Sequence, residues 1–410
     1  MPTEKPDHLP ASFNRLAWSN LAAQSAEQIA LAATPLIAVL SLGAGEGATG
    51  ILQTAGTLPF LLMAIPAGVL ADRMSRARLM TAAETLRVLA LVAVLMLVAF
   101  GALSLSLLAV LGFVGACGTV AFGVAAPALV PALVQPAALP VANGRIELAR
   151  TAAFAAGPAL GGVLVGSIGG GPAFGVAAAL SFGAVLLLAG ITEPARKRDL
   201  VPQHPLRAVR DGAVFVFQHR LLRPIFVTQF IFNTALFLLQ AIYVPYAIRA
   251  LGLTSAGVGA TLAAFGVGMV TGAFFAARIM RVLRLGTVIA IGPISGLLAA
   301  LVMVATIWIP SAALAALSFF LMGAGPILWV VSTVTLRQTV TPDALLGRVS
   351  AINALAYGAR PLGSAIGAAV GALYGAELCL VLAALGFLLQ AAVILVSPVV
   401  RLEQQPEMVH

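Results

Sequence analysis

The sequence predicts an all-α membrane protein with twelve transmembrane helices in two pseudo-symmetric six-helix bundles. Three observations carry this. Hydrophobic residues are 61% of the 410, and the 41 glycines raise the apolar share to about 71%, against roughly 45–50% for soluble domains. Charged residues are 9%, where roughly 25% is usual, and mean hydropathy is +1.06. The apolar residues also fall into runs that reach the roughly 20 residues a membrane-spanning helix needs. This composition excludes a soluble enzyme, a disordered chain and a collagen-like fibre.

Glycine, proline and charge divide the chain into spans. Helix 1 is read over 15–40 and carries a polar stripe on an apolar body. Helix 2, over 48–70, runs into a short basic loop. Helix 3, over 79–101, has Glu84 and Arg87 in its first turns, and helix 4 covers 104–130. Helix 5, over 143–167, contains Gly157-Pro158-Ala-Leu-Gly161-Gly162, and helix 6 covers 172–191. The second set lies at 224–248, 255–279, 285–308, 311–337, 347–373 and 377–399. The domains expected are a tail over 1–14, a bundle over 15–191, a linker over 192–223, a second bundle over 224–399 and a tail over 400–410.

Charge sets the orientation. Net charge is +9, and if both termini are placed on one side, twenty of the 23 Lys and Arg fall on that side. Arg249 lies opposite, and Arg87 and Arg360 lie within the membrane. Cytoplasmic loops carry the positive excess, so both termini are expected in the cytoplasm of a bacterium whose inner membrane the chain crosses. Clustered between apolar runs, these cations read as a topology signal and not as a nucleic-acid surface. The N-terminal segment lacks the apolar core and small-residue cleavage site of a signal peptide and reads as a cytoplasmic tail. In the linker, basic residues alternate with Val209, Val214, Phe215 and Phe217, the pattern of an amphipathic helix on the inner leaflet.

Cys117 and Cys379 sit in apolar runs without ligand spacing, and His8, His204, His219 and His410 lie in tails or the linker. No metal and no cofactor is expected. A weak internal repeat matches Pro136-x-x-Leu139 with Pro342-x-x-Leu345 and Pro158-x-Leu160-Gly161 with Pro361-Leu362-Gly363. It relates helix 5 to helix 11, as in transporters built from two parallel halves.

The loop after helix 2 reads Gly68-Val-Leu-Ala-Asp72-Arg73-Met-Ser75-Arg76-Ala-Arg78. It resembles the loop 2–3 signature of the major facilitator superfamily, with Ser75 in place of the second glycine. Gly68 would permit close backbone approach where helix 2 ends. The counterpart Gly272 to Arg281 lacks the acid. Glu84-Thr-Leu-Arg87, the segments around Pro127 and Pro140, the Gly157–Gly162 stretch and Arg360-Pro-Leu-Gly363 are similar to the bacterial exporter branch that includes multidrug and siderophore exporters. The Gly157–Gly162 stretch resembles the end of the helix 5 signature of proton-coupled antiporters. Small residues there also let helices pack closely. The resemblance implies that loop 2–3 biases alternating access, that helix 1 lines the substrate cavity, and that binding occurs near the midplane.

Intramembrane charges are costly and mark candidate sites. Glu27 stands mid-helix, on one face with Asn20, Gln24 and Thr34. An acid held away from water favours its protonated form, so Glu27 is the proton-coupling candidate. Arg360, in helix 11 beside Tyr357, could bind an anionic substrate group, pair with Glu27 or be held by nearby backbone. Gln229, Asn233, Gln240 and Tyr243 form a stripe on helix 7, and Gln53 adds a polar group from helix 2. Glu84 with Arg87, and Glu147 with Arg150, read as local ion pairs or gate elements. There is no G-x-x-x-x-G-K-[ST] loop, so ATP-driven export is disfavoured, and nothing supports catalysis. The function expected is export of small amphipathic molecules by proton antiport, from a monomer. Its rivals are an uptake symporter or facilitator, and a non-transporting scaffold or sensor.

Overall fold

The computed structural model describes residues 9–135, 138–193, 205–342, 345, 348–349, 352–353, 355–404 and 406, and only the backbone at 64, 65, 72, 140 and 205–209. Among the described residues there are helices and no strand. They are α1 (Ala11–Leu42), α2 (Glu46–Leu62), α3 (Ala64–Arg73), α4 (Arg76–Ala99), α5 (Leu105–Leu133), α6 (Leu139–Ile168) and α7 (Gly170–Ala189). There follow α8 (Pro205–Gln218), α9 (Leu222–Arg249), α10 (Ser255–Val282), α11 (Leu285–Ala305) and α12 (Ala312–Val340). After a 3-10 turn at Ala356–Gly358 come α13 (Ala359–Tyr374), α14 (Ala376–Val396) and a final 3-10 turn at Pro398–Arg401. Ten of these helices are long and apolar enough to cross a membrane. With α2–α3 and the α13 region they account for the twelve spans.

The second span is broken where the sequence reading has it continuous. Pro66 has no N–H for the carbonyl of Leu62, and its ring crowds that carbonyl. The helix stops at Leu62 and restarts at Ala64. At the end of α1, Gly43 has φ +64°, a left-handed C-cap that an L side chain would strain.

The chain divides into two compact units. The first holds α1, α2 from Ala55 onward, α3–α7 and the segment Thr254–Ala263 of α10. The second holds Gly45–Thr54 of α2, α8, α9, the rest of α10 and α11–α14. Inside the first, α1 packs on α6 and α7, and α4 on α5 and α7. Inside the second, α9 packs on α13 and α14, and α11 on α12 and α14. One scheme of neighbours thus occurs twice.

Glycine makes the tightest of these contacts. A Cβ at Gly157 would collide with Gln28, and one at Gly161 would lie 2.9 Å from the Ile29 carbonyl oxygen. A Cβ at Gly363 would collide with the Thr234 backbone, and one at Gly367 would lie 2.8 Å from the Leu238 carbonyl oxygen. Gly157 corresponds to Gly363 and Gly161 to Gly367, both 206 residues apart, the interval that also separates Pro136 from Pro342. The sequence match of Gly161 with Gly363 is therefore one helical turn out of register. Close packing agrees with the Pro136–Pro342 match and not with that of Pro158 and Pro361.

The linker forms α8 as its pattern requires. Val216 is buried against Leu222 and Ile225, whereas Val214 and Phe217 are exposed. Arg348 pairs with Asp211 at 2.9 Å and ties the helix to the second unit. Val209 is described only as backbone, and His204 lies outside the described residues. His219 then caps α9: its Nδ1 accepts from the N–H of Leu221 at 3.2 Å and of Leu222 at 3.3 Å. Burial pushes the imidazole below its usual value of 6.5. The folded state binds this proton more weakly than the unfolded chain, so the stabilisation is present above pH 6.5 and is lost as pH falls through the lowered folded value. Amide exchange at Leu221 and Leu222 is expected to quicken on going from neutral to acid pH, after correction for intrinsic rates. His219→Ala should remove that pH dependence.

Candidate transport site

The first unit contains a buried ionic cluster. Arg87 on α4 lies 2.6 Å from Glu84 one turn earlier and 3.5 Å from Glu27 on α1. Its guanidinium also donates to the Ala23 carbonyl at 3.2 Å and to Thr119 on α5 at 2.8 Å. Ser181 on α7 donates to the far oxygen of Glu84 at 2.8 Å. Four helices of one unit therefore meet at this cluster.

Exposure separates the two acids. Glu84 is 0% exposed and Arg87 4%, while the Glu27 side chain retains 17%. Two carboxylates face one guanidinium. The cluster carries one negative charge when both are ionised and none when one of them holds a proton. Glu27 is the member that keeps exposed surface, and Glu84 is enclosed.

The other helix 1 residues divide. Asn20 is buried and donates to the Ile146 carbonyl at 3.4 Å, which ties α1 to α6. Gln24 is half-buried. Thr34 donates to the Ala30 carbonyl of its own helix at 2.8 Å.

The second unit holds the other cationic cluster. Arg360 donates from Nε to Asn233 at 3.2 Å, and its guanidinium carbon lies 5.0 Å from the Phe237 ring centre and 4.6 Å from that of Tyr357. The 3-10 turn before α13 brings Tyr357 beside Arg360. A guanidinium over aromatic faces is held by the ring quadrupoles without losing its charge. Asn233 donates in turn to the Gln229 carbonyl at 2.9 Å. In the register set by the glycines Asn233 corresponds to Glu27, so one position on the first helix of each unit holds an arginine partner. Gln53, Gln229 and Gln240 are half-buried. Tyr243 is 1% exposed and meets Phe319 edge to face at 4.6 Å, so it packs in the core of its unit.

The loop motif is organised by a residue that the sequence reading did not single out. Ser75 caps α4, accepting from the Arg78 N–H at 3.4 Å, and donates to Glu193 at 2.7 Å. Glu193 also accepts from the Ala77 N–H at 3.3 Å. A carboxylate thus sits on the N-terminus of α4, where the helix dipole favours it. Arg76 donates to the Ala128 carbonyl at 2.5 Å, joining the loop to α5. Arg73 and Arg78 are exposed, and the Asp72 side chain lies outside the described residues. Gly68 differs from expectation: among the described residues no atom lies within 4 Å of a Cβ built there. Pro158 and Gly162 of α6 meet the start of α10, with the Pro158 carbonyl and the Gly162 backbone against Gly259. Glu147 and Arg150 form an exposed pair at 2.5 Å. Among the described residues no group of His, Cys, Asp and Glu could hold a metal ion.

Comparisons with known proteins point one way. The profile of the family described as transmembrane secretion effector matches residues 13–409. The chain is 30% identical over 218 residues to the multidrug efflux pump Tap of Mycobacterium bovis, covering 50% of this chain and 51% of the pump. It is 27% identical to Tap of Mycolicibacterium fortuitum over 362 residues, 80% of this chain and 86% of that protein. The enterobactin exporter EntS of Citrobacter koseri is 29% identical over 265 residues, 63% of this chain and 59% of the exporter. Against the first of these relatives the chain spans about half their length. Among solved structures, a peptide transporter POT mutant superimposes with a TM-score of 0.75 at 13% identity, covering 96% of both chains. A bacterial homologue of the iron transporter ferroportin gives 0.71 at 16% identity, covering 94% of this chain and 98% of that one. These two likenesses establish the fold alone.

Proposed function

Because the chain belongs to the transmembrane secretion effector family of the major facilitator superfamily, a family of multi-pass transporters and not of enzymes, we propose that it exports small amphipathic molecules in exchange for protons. The buried cluster of Glu27, Arg87 and Glu84 supports this most directly. Two acids on one cation, with a single acid partly exposed, form a site suited to accept and release one proton. When Glu27 is ionised it shares Arg87 with Glu84. When Glu27 is protonated, Arg87 keeps Glu84, Thr119 and the Ala23 carbonyl, so no cation is left bare. Proton loading therefore changes the tie between α1 and α4 without dismantling α4. The two six-helix halves, each with its own hydrogen-bonded centre, suit alternating access. The relatives named as a multidrug efflux pump and a siderophore exporter favour outward transport and a drug-like or siderophore-like cargo. In this reading the protein works as a monomer in a bacterial inner membrane with both termini in the cytoplasm.

The test is accumulation of cationic, neutral and anionic dyes and antibiotics in a bacterium stripped of its own pumps. Wild type is expected to lower accumulation of part of the panel, and an uncoupler should abolish the effect. Glu27→Gln should lose the uncoupler-sensitive component at equal expression. Arg360→Ala should lose anionic compounds first. Export that Glu27→Gln retains in full would remove the coupling assignment. Higher accumulation with wild type would favour an uptake symporter. No flux of any compound would favour a scaffold or sensor.

A further inference from the structure

A second cationic feature lies away from both clusters. A cleft of about 790 Å³ opens in the second unit where α8 turns into α9 and α14 ends. Arg220, Arg223 and Arg401 line it together with His219. The nearby acids are engaged elsewhere: Asp211 pairs with Arg348 at 2.9 Å and Glu403 with Arg284 at 3.2 Å. Among the described residues the side chains of Arg220, Arg223 and Arg401 make no ion pair or hydrogen bond. His219 uses Nδ1 to cap α9, so the hydrogen of its neutral ring sits on Nε2 as a further donor at the cleft. The lining contains no carboxylate.

The remaining wall is largely apolar. It is built from Phe217, Val227, Val393 and Val396. Val396 is 84% exposed at the end of an apolar helix long enough to span a membrane, and Phe217 is 47% exposed at the end of amphipathic α8. Cationic and apolar side chains thus line one cleft. A free phosphate would use the arginines and leave the wall bare. An amphiphile with an anionic head uses both.

We propose that this cleft is a binding site for a phospholipid with an anionic head group, its phosphate among Arg220, Arg223 and Arg401 and its acyl chains along Val393 and Val396. Basic residues beside an anionic lipid surface are each worth about fivefold in affinity. Bound lipid would join α8 to the ends of α9 and α14 and anchor the linker to the membrane.

Native mass spectrometry of the full chain in neutral detergent tests this with phosphatidylglycerol, phosphatidylcholine, glycerol 3-phosphate and inorganic phosphate. Wild type is expected to hold phosphatidylglycerol about tenfold or more tightly than phosphatidylcholine. The triple variant Arg220→Gln/Arg223→Gln/Arg401→Gln should lose that preference, and Arg278→Gln/Arg281→Gln should keep it. Neither soluble phosphate should compete. A photoreactive phosphatidylglycerol should label residues 217–227 and 393–401 in wild type, a readout that needs no variant to fold. Equal retention of the two lipids, a preference that survives in the triple variant, or labelling confined to other segments would overturn the site. Competition by glycerol 3-phosphate would reassign it to a soluble phosphorylated compound and overturn the lipid.

Discussion

Arg87→Leu is expected to destabilise the protein by about 3–5 kcal/mol, the usual cost of removing one partner of a buried ion pair. The cost arises from what remains. Glu84, 0% exposed, would keep only Ser181, and Glu27 would face an apolar side chain. A buried carboxylate without its cation would then lie inside a four-helix contact. The apparent Tm of the purified protein should fall steeply, and surface expression with it. Glu27→Gln behaves differently. Its pair with Arg87 spans 3.5 Å and its side chain is partly exposed, so its removal should cost little stability, on the order of 1 kcal/mol or less. The two variants therefore separate the structural role of Arg87 from the proton-carrying role proposed for Glu27. An Arg87→Leu protein as stable as wild type would mean that the cluster does not hold α1, α4, α5 and α7 together. The proposal that Glu27 answers to Arg87 would fall with it.

The spans were legible because their signal is local. Composition, run length and basic loops are all written within short windows. The break at Met63 was legible in principle, since Pro66 removes the donor that Leu62 needs, but a hydropathy reading passes over it. Glu84 and Arg87 were readable as neighbours one turn apart. That Glu27 joins them was not, because the partner sits about sixty residues away and its identity depends on how α1 packs against α4. The sequence reading offered Arg360 as a partner for Glu27. Inside its own unit Arg360 has Asn233 and two aromatic rings. Glu193 was missed for a similar reason. A lone acid after a span carries no pattern until folding brings it to the start of α4. Spacing placed Tyr243 with Gln240 on a polar stripe, but tyrosine is apolar over most of its surface, and the ring packs against Phe319.

Gly363→Val and Gly68→Ala should shift stability in opposite directions. At Gly363 a Cβ meets the carbonyl and Cα of Thr234, which are backbone atoms in the middle of α9 and cannot rotate aside. Gly363→Val should force α13 from α9 and cost about 1–3 kcal/mol or more, as overpacking does. The loss would reach Arg360 three residues earlier, so its contact with Asn233 and any transport that depends on it should fail as well. At Gly68 the space is open, and the residue lies within α3 and not at a turn. Gly68→Ala should leave the fold intact and gain roughly 0.5–1 kcal/mol from the lower entropy of the unfolded chain. Thermal unfolding and dye export measured on both variants distinguish two uses of glycine. Loss of stability and transport together at Gly363 marks a packing contact of the resting structure. If Gly68→Ala raises stability but lowers export, the loop glycine is needed in the other half of the transport cycle, when α3 approaches a neighbour that it does not touch here. If both are unchanged, the glycine of the loop signature does nothing in this protein that alanine cannot do.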